Sequence, residues 1–464
     1  MRVVDMKTGR EANIKTWDGS GWVTAATAAG RRAPRIVNPP AGAPVKNVIG
    51  GGAYMNSLIN PIPGFEVRAG ASVAARMPVV VDVLRPVAEF DVQMLSTTPR
   101  VQEIKAAVAV GDDAPVPVTF NNGEPVARLE RPGNGGIVHV KTDPIPISAN
   151  AGEVITWYGW VGSPEGRAVG DQVGYLPGVD KWYAPGDTFE AAYNGVRFSK
   201  GTNADTPMFP AARPARVLAP TDNPAWVLAG DSIMHFSRSH VQQWAISAGV
   251  AWAKNATGGR NYVHATRDYE TLYRPSVLSA TMCFDELGIN GANFTLGLDH
   301  WRKLRADGIE GIVKSTLTPQ TTSRDGWRTV EGQTANSDVP GFTKWDAWLL
   351  DGAPMKRDLS TVVDPGITGA DIVRCAVVDG DGRLIRKGDK AHVFGTGGVV
   401  DWNPSVSLAG ATPGGNRRIW RMDLGLKNTD YGDGLHPGAG IHEVMAQYLV
   451  KAMPVVLDKA ARLE

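Results

Sequence analysis

The hydrophobic positions of this chain change period once, near residue 221. Before that point, short β-branched or alternating runs recur at 79–84 (VVVDVL), 89–94 (EFDVQM), 136–140 (GIVHV) and 153–161 (EVITWYGWV). Turn sequences Gly111-Asp112-Asp113 and Asn121-Asn122-Gly123 stand between or beyond them. Repeated short strands with Gly and Pro punctuation predict an all-β sandwich, jelly-roll-like, over 46–220. The aromatic cluster Trp157, Tyr158 and Trp160 reads first as core or edge packing and second as a sugar-stacking platform.

Beyond 221 the runs alternate in kind. Residues 225–229 form a short buried strand leading into Gly230-Asp231-Ser232, and 240–254 has helical spacing through Val241, Trp244, Ala245, Ala248 and Val250. A strand over 279–284, a helix over 296–307 and a strand over 311–317 follow. Such alternation predicts a parallel sheet flanked by helices, with functional residues gathered at the carboxyl ends of its strands. Residues 320–430 read as the rest of this α/β domain, with a strand over 372–378, long loops around Gly326 and over 410–416, and a small β insertion. A closing helix falls at 442–453. Residues 1–45 differ from both halves: a polar start, an Ala/Thr run at 24–30 and a Pro-rich stretch at 34–44 describe an extended arm. Within it, 17–23 (WDGSGWV) reads as a small hairpin.

A length of 464 residues suits this division into an arm (1–45), a sandwich (46–220) and an α/β domain (221–464). The formal net charge of +1 provides no field to gather a polyanion, which argues against nucleic acid as a partner. No stretch approaches the roughly 20 apolar residues of a membrane span. The first 21 residues lack the apolar core of a signal peptide, so a chain made in the cytoplasm, with no membrane insertion, is expected. Cys283 and Cys375 have no CxxC or Cys/His spacing and read as buried thiols rather than metal ligands.

Four short segments carry candidate chemistry, in this order: Gly230-Asp231-Ser232-Ile233, Asn255-Ala256-Thr257-Gly258-Gly259, Gly288-Ile289-Asn290 and Asp433-Gly434-Leu435-His436-Pro437. Ser232, between a strand and a helical stretch, would lie at a sheet edge beside a helix N-terminus that favours developing negative charge. The Asp-Ser pair is also a common helix cap. A serine hydroxyl becomes a useful nucleophile only when a neighbouring base takes its proton. Asp433 and His436 are three apart, so in a tight turn the carboxylate reaches Nδ1, fixing the tautomer and stabilising the imidazolium. Pro437 restricts the backbone of His436.

Together the four segments resemble the blocks of the SGNH (GDSL-like) hydrolase superfamily, over residues 221–464. The resemblance implies a flavodoxin-like three-layer α/β/α fold and ester hydrolysis without metal or other cofactor. It implies Ser232 as nucleophile, His436 as base and Asp433 as orienting acid. It also implies three oxyanion donors: the Ser232 N–H, a glycine N–H of the 255–259 loop and the Asn290 side-chain amide. The family's glycine closes that loop, which points to Gly259, with Gly258 as the alternative. Two departures stand out: Gly291 replaces the Asp common after Gly-x-Asn, and Ile233 replaces Leu. His235 and His300 are expected in packed or solvated roles. Tyr431 and Trp327 either wall a substrate pocket or pack in loops.

The expected activity is a serine esterase that removes O-acyl groups, O-acetyl first, from an acylated bacterial surface polysaccharide. The arm loosely resembles the anchoring ends of phage virion proteins such as tail or head spikes. That implies work at a virion or extracellular surface, with residues 1–45 meeting other virion proteins. A homo-trimer is the assembly such a spike would form, although no heptad or repeat marks one. Two rival readings stay open. A lipid or aryl-ester acylhydrolase is disfavoured by the lack of an amphipathic or apolar lid segment. A non-enzymatic receptor-binding protein of the virion is disfavoured by the intact set of Ser, Asn, Asp and His.

Overall fold

The computed structural model describes residues 15–17, 22–24, 41–50, 70–95, 100–133, 135–164, 181–182, 214–235, 239–336, 341–407, 417–421 and 434–463. In the N-terminal half the alternating runs become two antiparallel sheets. One has the order Gly135–Lys141, Val87–Leu95, Arg216–Pro220, Val45–Asn47. The other runs Lys181–Trp182, Gly70–Pro78, Val154–Gly162, Val101–Val110, Val116–Pro117. Their inner faces enclose Phe90, Val108, Phe120 and Trp157, with the Phe90 and Trp157 rings 5.3 Å apart. This is the predicted sandwich, and Trp157 is core. Trp160 lies half-buried on the other face of its strand, with the Lys105 ammonium 5.2 Å from its ring.

Two details differ from the sequence pattern. The run 79–84 is not one strand: Val79 only bridges Ile49, and Val83–Leu84 pairs separately with Ser148–Ala149. Arg85 turns the chain at φ 49° and Pro86 has no N–H to extend a ladder. Conversely Val101–Val110 forms a long strand that the pattern did not single out, because Gln102, Glu103 and Lys105 mask its apolar face. In the arm, Lys15–Trp17 pairs with Trp22–Thr24, Trp17 opposite Trp22, as the hairpin reading expected. Most of the arm otherwise lies outside the described residues.

The C-terminal half is built on strands β1 (Ala225–Gly230), β2 (Ala251–Ala256), β3 (Met282–Asp285), β4 (Gly311–Ser315), β5 (Ala376–Val378), β6 (Leu384–Arg386) and β7 (Gly398–Val400). Their order is β2-β1-β3-β4-β7-β5-β6, parallel except for the edge strand β6. The first five positions follow the flavodoxin-like doubly wound order, which reverses at β1/β3. Strands buried on both faces read as continuous apolar runs. Here Ala225, Val227, Cys283, Ile312 and Val399 point to one core, and Trp226, Leu228, Phe284, Val313 and Val400 to the other.

The helices that matter for the layers and the site are α1 (Ser232–His235), α2 (His240–Ala248), α3 (Tyr262–Arg267), α4 (Phe294–Ala306), α5 (Phe342–Leu350) and α6 (Ala439–Leu457). Apolar residues of α3, α4 and α5 cover the first core, those of α2 and α6 the second, giving three layers. The helix expected over 240–254 stops at Ala248. Gly249, at φ 63°, donates its N–H to the Ala245 and Ile246 carbonyls, and the rest of the run becomes β2. The run 372–378 also divides, Ile372–Val373 pairing with Met355–Lys356 while β5 joins the main sheet. A hairpin of Thr321–Ser323 and Gln333–Ala335 encloses Gly326.

The sandwich docks on the amino ends of the parallel strands. The Asn47 N–H donates to the Ser279 carbonyl (2.9 Å) and the Trp252 N–H to the Ile49 carbonyl (3.1 Å). Arg216 reaches Ser276 Oγ at 3.0 Å. A cavity of about 320 Å³ at this junction is lined by Glu89, Lys141, Arg216, Glu270, Arg274 and Leu278. Its cations already pair with its own carboxylates, Lys141 and Arg216 with Glu89 and Arg274 with Glu270.

Candidate active site

Three of the four motif segments follow β1, β2 and β3 directly, so the parallel sheet delivers them to its carboxyl edge at the point where strand order reverses. At the end of β1, Gly230 lets the chain fold back sharply: a Cβ there would lie 2.6 Å from that of Met234. Asp231 is fully buried, and its Oδ1 accepts the Ile233 N–H at 3.0 Å, so the cap reading holds for Asp231. Burial, and then the neighbouring Glu286, hold its carboxyl well above the ordinary range. Ser232 is half-buried as the first residue of α1. That helix is a single turn, so the helix-terminus field expected from the sequence is small.

The second segment begins as strand. Asn255 and Ala256 end β2, and the loop is Thr257–Gly259, whose Thr257 N–H reaches back to the Gly230 carbonyl (3.4 Å). Gly258 and Gly259 are exposed, and Gly259 has φ 71°. After β3, the Asn290 amide donates to the Arg260 carbonyl (3.2 Å), while Asn261 Nδ2 donates to the Asn290 carbonyl (3.4 Å). The two loops are thus laced together. A primary amide has two N–H groups, so one remains for a ligand. Gly291, where the resemblance to SGNH hydrolases implied Asp, sits at φ 125°, a conformation a β-carbon disfavours.

The fourth segment arrives from nearly 200 residues away. The Gly434 carbonyl accepts both the Thr321 N–H (3.1 Å) and the Trp420 indole N–H (2.9 Å). Gly434 has φ 71°, and a Cβ on it would stand 1.8 Å from the Thr321 carbonyl oxygen, so no other residue fits. Trp327 packs on the same glycine and donates to Thr321 Oγ1 (3.0 Å), which places it against the Gly434–His436 segment. His436 follows two residues later, half-buried, close enough to bear electrostatically on His235 and His442. His235 closes the turn that Ser232 opens. Asp433 and Tyr431 lie outside the described residues.

Residues that carried no motif stand beneath this edge. Lys254, 1% exposed, donates to the His235 carbonyl (3.0 Å) and Gln242 Oε1 (3.3 Å); burial pushes its ammonium down to about 7. Burial, then Lys254, likewise pushes His235 down to about 4 and keeps it neutral. Only recognition of 251–256 as a buried strand would have exposed Lys254 as unusual. His300 is packed as expected, buried against Tyr262, Tyr269 and Tyr273.

No protein-family model matches the chain, and no curated protein matches it. Among solved structures, it is similar to a GDSL-like lipase of Bacteroides thetaiotaomicron VPI-5482, with 13% identity, 50% of this chain and 87% of that one covered, and a TM-score of 0.28. An α/β hydrolase enzyme from the metagenome of Lake Arreo, Spain, shows 11% identity, coverages of 51% and 97%, and a TM-score of 0.27. A carbohydrate esterase family 2 enzyme with a carbohydrate-binding domain, from Corynascus thermopiles (Myceliophthora fergusii), shows 11% identity, coverages of 87% and 99%, and a TM-score of 0.27. At these identities and TM-scores none of them assigns a residue or a substrate to this chain.

Proposed function

We propose that the chain is a serine esterase of SGNH type that removes O-acetyl groups from a polysaccharide. The observation that carries this reading is the convergence of Ser232, the Thr257–Gly259 loop and Asn290 on one sheet edge, with the Gly434–His436 segment anchored beside them. Ser232 Oγ attacks the acyl carbon as His436 takes its proton, with Asp433 orienting the imidazole. The oxyanion is held by the Ser232 N–H, the Gly259 N–H and the Asn290 amide. Collapse expels the sugar alkoxide, which His436 protonates. Water then attacks the acetyl-enzyme by the same route, releasing acetate and restoring Ser232.

The substrate class rests on the pairing of the esterase edge with a β-sandwich and on the sequence features of the arm. The described part of the sandwich docks at the opposite end of the sheet from Ser232, so its role in this reading is to space and attach the enzyme rather than to hold the reacting sugar. Residues 1–45 would anchor it to a phage-like virion, where a trimer would present several active sites to a cell-surface glycan.

Acetate release from O-acetylated capsular polysaccharides by wild type and Ser232→Ala tests the activity, and equal release by both would remove the nucleophile. p-Nitrophenyl acetate against long-chain p-nitrophenyl esters tests the substrate class. A preference for the long chains would replace the polysaccharide reading with the lipid one.

A further inference from the structure

Below the site lies a chain of buried polar groups that the hydrolytic scheme leaves unused. Glu286, two residues before Gly288, is 4% exposed; His240, which opens α2, is 0% exposed; His442, in the first turns of α6, is 2% exposed. The two imidazoles stack, with centroids 5.1 Å apart and Nδ1 to Nδ1 2.9 Å. Glu286 Oε1 stands 3.2 Å from His240 Nε2, an ion-pair distance without hydrogen-bond geometry, and neither atom has a hydrogen-bond partner among the described residues.

Hydrogen-bond bookkeeping gives this chain a direction. The His240 backbone N–H points at His442 Nδ1 (3.4 Å), so that nitrogen is an acceptor. Across the 2.9 Å contact His240 Nδ1 must therefore donate. In a neutral ring His240 Nε2 then bears a lone pair, and an ionised Glu286 would face it with a second lone pair. A single proton shared by these two buried atoms removes that opposition of lone pairs. The nearby ammonium groups are engaged elsewhere: Lys254 on the His235 carbonyl and Gln242, Lys314 on the Asp285 and Leu287 carbonyls at 3.1 and 2.7 Å.

We propose that Glu286 holds this proton and, through His240 and His442, positions the His436 loop, so that losing the proton slows hydrolysis from the alkaline side. The inference rests on the esterase reading for its kinetic consequence, not for the geometry. His442 lies six residues after His436, and its N–H donates to the Gly438 carbonyl (3.1 Å), where α6 meets the base loop. The chain therefore pins that junction to α2 and to the end of β3. Trp402, edge-on to His240 at 4.4 Å, closes the site on one side.

The electrostatic setting agrees with a neutral chain. Burial dominates for Glu286, with Lys314 and Lys254 opposing it and Asp285 adding to it, and its carboxyl is raised to about 8. Asp231 is the further acidic neighbour. Burial, then Lys254, pushes His240 down to about 3, so the imidazole does not take the proton instead. Raising the pH through about 8 ionises Glu286 and sets two lone pairs against each other.

The test compares Glu286→Gln, which keeps a donor that cannot titrate, with Glu286→Ala. On p-nitrophenyl acetate, wild-type kcat should fall as pH rises from 7 to 9.5, with KM little changed. Glu286→Ala should lose up to about 10²-fold in kcat throughout, the scale of a small misplacement of a catalytic group. Glu286→Gln should recover most of that loss and lack the alkaline fall. The same alkaline profile for wild type and Glu286→Gln would overturn the proposal, as would full kcat in a folded Glu286→Ala. ¹⁵N spectra of the imidazoles provide a readout that needs no activity, and they stand if Glu286→Ala fails to fold. The proposal requires the Nδ1–H tautomer at His240 and Nε2–H at His442, and the reverse assignment sinks it. If Ser232→Ala kept wild-type activity, the esterase reading would fall while the tautomer result still judged the chain.

Discussion

Asp91 in the sandwich and Glu286 at the carboxyl edge of the parallel sheet are both buried carboxyls, and their surroundings treat them in opposite ways. In the sandwich, Arg216 is 1% exposed and forks onto Asp91 at 2.6 and 2.7 Å, with a further bond to Glu89 at 2.8 Å. Burial alone would raise Asp91, but Arg216 and then His139 outweigh it and hold the carboxyl down at about 2. At the carboxyl edge of the parallel sheet, burial wins: Glu286 rises to about 8 and Asp231 well above its usual range. A guanidinium fork leaves a charge with nothing further to do. Carboxyls held short of such a fork keep their protons and remain able to exchange them, which is where functional groups concentrate.

The largest effect should come from Ser232→Ala, which should lower kcat by about 10⁴-fold or more with denaturant stability unchanged. A matching loss of stability would mean that the edge is scaffold like the sandwich. Arg216→Ala should do the reverse, costing about 3–5 kcal/mol in urea unfolding because two buried carboxylates lose their partner. Activity of the protein that remains folded should be untouched. Asn290→Ala should lower kcat by about 10²–10³-fold, the usual cost of one oxyanion donor.

The subtlest test is the order of acid unfolding. Burial pushes His235, His300 and His392 down to about 4, His240 to about 3 and His442 well below its usual value, all in the α/β half. For each, the unfolded chain binds its proton near pH 6.5 and the folded one only lower, so stability falls as pH drops through that window. The raised carboxyls of Glu286, Asp346 and Asp231 oppose this only until they would be protonated in the unfolded chain as well. Asp91 stabilises the sandwich above its unfolded value of 3.8, and that contribution is lost only as pH falls towards 2. Near-ultraviolet and far-ultraviolet dichroism should therefore show the α/β half melting first. A sandwich that melted first would reverse the comparison.

Much of this was legible in one dimension. The run 225–229 and most of 311–317 lie in buried parallel strands because both of their faces are covered; every position of the first is apolar, and in the second the buried Lys314 donates to the Asp285 and Leu287 carbonyls. Ser232 and Asn290 were readable because the doubly wound topology places the ends of such strands together. The run 240–254 misled because Val250, Ala251 and Trp252 suit a helix face and a buried strand equally, and Gly249 decided between them. The long strand Val101–Val110 was hidden because three of its first five residues, Gln102, Glu103 and Lys105, are charged or polar.

By itself the sequence determined the two classes of layer and the carboxyl-edge address of Ser232, Gly259 and Asn290. Local periodicity and backbone sterics act within a few residues, so one dimension records them. Only the folded chain decided that the sandwich faces away from Ser232, that Thr321 and Trp420 anchor the His436 segment, and that Glu286, His240 and His442 share one buried line. Those outcomes depend on which distant groups are removed from water together, and desolvation is a property of the packed interior.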